Sequence, residues 1–197
     1  MKFQGAIKFR YDVEKFANAV AYFVKRTGKM DKLKAAKLLY FLDKYHLVHY
    51  GRPVTGDCYH RLDYGPVPSM SLDIMNDVIC GPPLRRLLHN KRTFERLLDV
   101  DSRSRKYPAF ILKRNPDMKV FSGSEIEALD YTVEKHGNRT GPQLINLTHN
   151  EPAYRKSAEN SEIDYRLFVA DSPNGPEILE LMELTQENRA LADSLNS

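Results

Sequence analysis

The sequence predicts a mainly α fold with a small antiparallel β-sheet, an α+β protein built as a single compact helical domain. Three observations carry that expectation. Several segments repeat apolar residues at helical spacing between capping residues and terminating glycines. Only short strand-like runs lie among them. The chain's 197 residues, 42% hydrophobic and 28% charged, suffice for one sizeable core and fall short of two.

Taken in order, Asp12 to Arg26 reads as the first helix. Phe16, Ala19, Val20 and Phe23 recur at helical spacing, and Gly28 ends it. Lys29-Met30-Asp31 is a short connection, with Asp31 the N-cap of a central helix that Gly51 closes and Pro53 prevents from continuing. Cys58 to Tyr64 alternates as a short strand and breaks at Gly65-Pro66. Ser69 then caps a helix over Met70 to Ile79, which Gly81-Pro82-Pro83 stops. A short helix follows near Thr93 to Leu98. Ala109 to Arg114 and Lys119 to Phe121 are strand-like on either side of Asn115-Pro116-Asp117. Ser122 with Glu125, Thr140 with Gln143 and Thr148 with Glu151 are capping-box patterns. They open helices to about His136, to Leu147 and through Tyr154 toward Ala158.

The stretch Lys37 to Met70 organises the rest. On a wheel of 100° per residue Lys34, Lys37 and Lys44 share one stripe. Ala36, Leu39, Leu47 and Tyr50 take the opposite side, with Asp43 in their midst and His46 beside it. A helix this apolar is buried, so the lysine stripe is its expected way out to water. An acid and an imidazole on the buried side need partners, because an unpaired buried charge costs several kcal/mol, about 3–5.

Charge and composition narrow the function classes. A net charge of +4 gives little basis for a nucleic-acid partner, and no helix-turn-helix extension is seen. No apolar run has the length of a membrane span, and Met1-Lys2-Phe3-Gln4 begins no signal peptide. Cys58 and Cys80 form neither a metal nor a disulfide spacing, which places the expected compartment in the cytoplasm. Between Arg85 and Lys106 lie eight basic and three acidic residues; from Glu159 on, nine acidic and two basic. Such a run is a solvated face, a surface for an acidic partner, or a loop set against the chain's own acidic end. In that end Leu181, Leu184, Asn188, Leu191 and Leu195 follow the 3-4 spacing of a short coiled-coil seam. Its first turns, with Ile178 and Leu181, are expected to pack on the core.

Asp43, His46, Tyr64 and His149 are the raw material for general base catalysis if they converge. No nucleophile stands in a recognised context, no phosphate loop is present, and no ligand set for a metal or cofactor is seen. Gly65-Pro66 has a structural reason of its own, a sharp exit from a strand.

Three runs carry a resemblance: Lys37-Leu38-Leu39-Tyr40-Phe41-Leu42-Asp43-Lys44-Tyr45-His46, Tyr50-Gly51-Arg52-Pro53-Val54-Thr55-Gly56-Asp57 and Tyr64-Gly65-Pro66-Val67-Pro68. With Leu147-Thr148-His149-Asn150-Glu151-Pro152-Ala153-Tyr154, where the family has a His-x-Glu element before an aromatic residue, the chain resembles the Panacea domain, the SocA-like antitoxin domain also met in phage-associated proteins. The resemblance spans roughly Val13 to Tyr154. The expected organisation is a domain over residues 1–158 and an acidic helical extension over 159–197 packed on it. The resemblance implies an antitoxin of a toxin–antitoxin system that is no enzyme. It would neutralise a cognate protein toxin by direct binding, or present that toxin to a protease. Asp43, His46, Tyr59, Tyr64, Gly65, Pro66, His149 and Glu151 are the partner-binding or pocket candidates among its residues; the resemblance assigns them no role, and a packed corner uses the same residue types as a binding cleft. Aromatics at Tyr59, Tyr107 and Phe110 are expected at the surface beside the basic run. The alternatives are a phage or mobile-element regulator that binds a host protein, and a hydrolase or transferase using Asp43, His46 and His149.

Overall fold

In the computed structural model, residues 5–80, 88–101, 103 and 108–195 are described. The chain runs through α1 (Val13–Thr27), β1 (Met30–Asp31), α2 (Lys32–Tyr50), β2 (Tyr59–Leu62), β3 (Gly65–Pro68) and α3 (Ser69–Cys80). Then follow α4 (Leu88–Leu97), β4 (Leu98–Asp101), β5 (Ala109–Leu112), α5 (Gly123–His136), α6 (Gly141–His149), α7 (Pro152–Lys156), α8 (Arg166–Val169) and α9 (Gly175–Leu195). The described residues are thus mostly helical with two small antiparallel sheets, as the sequence predicts.

Local chemistry explains the long elements. Asp12 caps α1 by accepting from the Lys15 N–H at 3.0 Å, and Asp31 caps α2 from the Lys34 N–H at 2.8 Å. Gly51 closes α2 in the left-handed conformation that glycine adopts without strain. The capping boxes of Ser122 with Glu125 and Thr140 with Gln143 are both formed. The third is not. Thr148 lies inside α6, and its hydroxyl donates back to the Leu144 carbonyl at 3.0 Å, so it cannot cap α7.

Three other expectations shift. Ser69 does not cap α3, because its hydroxyl is taken by His60 Nδ1 at 2.6 Å. Asp57 does so from a distant loop, accepting from the N–H groups of Met70 at 2.9 Å and Ser71 at 2.8 Å. Lys119–Phe121 is no strand: Met118–Val120 is a 3-10 turn capped by Asp117. The strand that β5 pairs with is Leu98–Asp101, directly continuing α4, with Val100 opposite Phe110. Met30 and Asp31, expected as a connection, form the other edge, with Met30 opposite Phe110. The Gly81-Pro82-Pro83 stop lies outside the described residues.

The core wraps α2. Phe16 of α1 stacks on Phe94 of α4 at 5.3 Å, and Phe94 meets Phe110 of β5 edge-on at 5.1 Å. On the other side Tyr40 of α2, Tyr59 of β2 and Phe168 of α8 pack at 5.3–5.8 Å, with Tyr165 stacked on Phe168. Burying one such ring contributes about 1.5–3 kcal/mol. The acidic C-terminal segment therefore supplies core residues. Its α9 buries Ile178, Met182 and Gln186, while Leu181, expected to pack beside Ile178, lies against Gly51 at the end of α2 and is still 46% exposed. Among the described residues no helix is long and apolar enough to cross a membrane.

Candidate functional site

Helix α2 sets the geometry of every candidate residue. Asp43 is fully buried and closed by four donors: the N–H groups of Val54 at 2.8 Å and Thr55 at 2.7 Å, the Thr55 hydroxyl, and the Tyr59 hydroxyl at 2.9 Å. Burial pushes its carboxyl up to about 6 while these bonds pull the other way. The acid thus pins the Gly51–Asp57 turn and strand β2 to the helix. His46 does similar work one turn on. Its Nδ1 lies 2.7 Å from the Arg52 carbonyl and its Nε2 3.0 Å from the Ser124 hydroxyl, and burial lowers its pKa below the ordinary value.

The lysine stripe leads to water only in part: Lys34 and Lys44 are half-buried and Lys37 is not exposed at all. Lys34 Nζ donates to the Gly137 carbonyl at 2.6 Å, and Lys44 pairs with Glu151. Lys37 is fully buried, with Nζ donating to the Pro66 carbonyl at 2.8 Å. The reason is that the stripe faces β3, α5 and α6 along most of its length, so its amines end on carbonyls and one carboxylate, and only Lys44, at the cleft described below, stays partly in solvent. Burial lowers the Lys37 pKa to about 7. Between that value and 10.5 the unfolded chain holds the proton that the folded chain has lost. Stability should therefore rise with pH above 7, by up to ~1.4 kcal/mol per pH unit from this group. Urea unfolding of wild type and Lys37→Met across pH 6.5–9.5 checks it: the difference between the two curves should climb with pH. A constant difference would mean that Lys37 keeps its proton.

Gly65 and Pro66 return the chain from a tight hairpin, Leu62 opposite Gly65, and hold the Lys37 amine. Tyr64 stands at the hairpin tip, 67% exposed. His149 stacks on Tyr154 at 4.7 Å, and the Arg61 guanidinium lies 5.0 Å from the same ring. Glu151 receives Lys44 and the Tyr40 hydroxyl at 3.4 Å. Among the described residues, no hydrogen bond joins Asp43, His46 and His149. Tyr59 and Phe110, expected at the surface, are fully buried, each consumed by its ring packing; Tyr107 lies outside the described residues. In the described part of the basic run Arg96 pairs with Glu14 and Arg103 with Asp101, both guanidinium side chains staying exposed, while Lys91 donates to the Asp77 carbonyl.

A surface cleft of about 280 Å³ opens between α2 and α5. Phe41, Lys44, Tyr45, Val48 and His49 line one wall, Tyr131, Lys135 and His136 the other, and Glu151 closes an end. Tyr45 lies between His49 at 4.1 Å and Tyr131 at 4.2 Å, and His136 stacks on Phe41 at 3.9 Å. His136 Nδ1 has no hydrogen-bond partner, and burial with the nearby Arg139, Lys135 and Lys44 lowers its pKa to about 4. Most of these residues escaped notice in the sequence. Their signal was the i, i+3, i+4, i+7, i+8 series from Phe41 to His49, which marks one helix face but not what lies opposite. No group of three or more His, Cys, Asp or Glu among the described residues could hold a metal ion.

The family described as "Antitoxin SocA-like, Panacea domain" matches residues 36–154, well over half of the chain. The chain belongs to the SocA-like Panacea antitoxin family. The match begins inside α2, later than the resemblance suggests, and ends at Tyr154 on α7. Every candidate residue of the Panacea domain named above falls within it. No curated protein matches the chain, and no solved structure does.

Proposed function

We propose that this protein is the antitoxin of a toxin–antitoxin pair and that it neutralises a cognate protein toxin by direct contact. Membership of the SocA-like family is the observation that carries the reading. The geometry supports it. Asp43, His46 and Tyr59 have no exposed surface, so they serve as the frame of the fold. Tyr64 at the hairpin tip and the Tyr45–His49–Tyr131 cleft beside Glu151 are open to a partner. Rigid aromatic surface with a polar rim is the usual composition of an interface centre. A binding role also fits the separation of the acid and imidazoles, which form no relay for general base catalysis.

Co-expression with the product of the neighbouring open reading frame tests the proposal. The expected result is growth arrest by that product alone, rescue by this protein, and co-purification of the two. Arrest without rescue would overturn it.

A further inference from the structure

Helix α9 presents two faces. On a wheel of 100° per residue, Ile178, Met182 and Gln186 share the side packed on the domain. Leu181, Leu184, Asn188 and Leu191 share the opposite side, and the three leucines are 46%, 52% and 61% exposed. The seam therefore survives in the folded chain over about 15 Å of helix, with Leu181 at its head lying against the end of α2 and Leu184, Asn188 and Leu191 exposed beyond it. Glu180 and Glu187 flank it on one side and Glu177 stands at its head, all three exposed and without an ion-pair partner among the described residues. Thr185 and Ala192 lie on the other flank.

We infer that this seam docks a basic amphipathic helix of the partner toxin, an inference that rests on the antitoxin reading. Charge decides against a second copy of the chain. A parallel self-pair would set Glu180 and Glu187 against Thr185 and Ala192, with no attraction; an antiparallel one would bring the glutamates together. An occupant with Lys or Arg along its edges and apolar residues at 3-4 spacing satisfies both the leucines and the glutamates. Asn188, at the position equivalent to Leu181, calls for a polar residue opposite it and so fixes register. Two heptads are too short to hold a helix pair alone, so the seam belongs to a wider surface. That surface is adjacent. Asn174, just before α9, donates to the carbonyl of Val48 in the cleft at 3.2 Å, and the Leu181 side chain covers Gly51 at the end of α2.

The test uses the full chain and the product of the neighbouring open reading frame. Binding by titration calorimetry is compared for wild type, Leu184→Glu/Leu191→Glu and the charge-reversed Glu180→Lys/Glu187→Lys. Both double variants should melt as wild type does, because the altered side chains are exposed, and both should bind about tenfold or more weaker. Should the leucine variant fail to fold, the charge-reversed variant carries the same test. Unchanged affinity in a folded variant overturns the seam and leaves the antitoxin reading standing. A wild-type dimer that the leucine variant abolishes, with toxin binding intact, assigns the seam to a second copy and also overturns it. No binding and no rescue by wild type removes the antitoxin reading itself.

Discussion

Asp43→Leu should lower the unfolding free energy by about 3–5 kcal/mol, while Lys44→Ala changes it by no more than about 1 kcal/mol. The two residues are neighbours in sequence and opposite in circumstance. Asp43 has no exposed surface and holds four donors. Leucine has the same branched outline but is bulkier and accepts nothing, so two N–H groups and two hydroxyls would be left buried and unpaired, each a desolvation penalty of about 1–3 kcal/mol before relaxation. Lys44 keeps its side chain partly in solvent beside Glu151, and such a pair is screened. Asp43→Asn separates shape from charge. Its amide oxygen still accepts from Val54 and Thr55, and the two hydroxyls can accept from its NH2, so a loss of about 1 kcal/mol is expected. Denaturant midpoints of the three variants decide the matter. Equal stabilities for Asp43→Leu and Lys44→Ala would show that the acid is not the pin of this turn.

Gly65→Val should cost about 3 kcal/mol or more. Gly65 has φ of 92°, a conformation in which a β-branched residue is strained by about 1–3 kcal/mol. There is also no room. An added Cβ would lie 2.5 Å from the Thr148 hydroxyl oxygen and 2.8 Å from Lys37 Nζ, both held in the interior. The hairpin would have to move off α2 and α6, and the Lys37 bond to Pro66 would go with it. Gly65→Ala should fall between wild type and valine, since alanine adds the clash without the second branch. Urea unfolding reads the series; a valine variant within about 0.5 kcal/mol of wild type would refute both the strain and the contact.

How legible this was in the sequence varied with the range of the interaction. Caps and glycine stops are local, and Gly28, Asp31, Gly51, Ser122 and Thr140 fell where their neighbours dictate. The burial of Asp43 followed from one helix wheel. Elements decided by distant partners did not show. The Leu98–Asp101 strand follows α4 without a break and exists because Phe110 and its neighbours pair with it. Ser69 looked like a cap because Asp57 arrives from outside any local window. Lys37 looked solvent-bound because a wheel shows which residues share a face, not what that face meets. The cleft was missed for the same reason: its second wall, on α5, comes from more than eighty residues downstream of Tyr45. Of the candidate residues, those on α2 are placed by helix periodicity, whereas His149 and Glu151 are brought near by the packing of α6 against α2.

Direct neutralisation is tested most sharply in cells that lack the energy-dependent proteases. The protein and the product of the neighbouring open reading frame are co-expressed there, growth is scored, and the complex is purified. Binding by occlusion predicts that rescue persists and that the two chains leave the column together as a stable complex. Rescue that disappears with the proteases, or rescue with no complex, would contradict it.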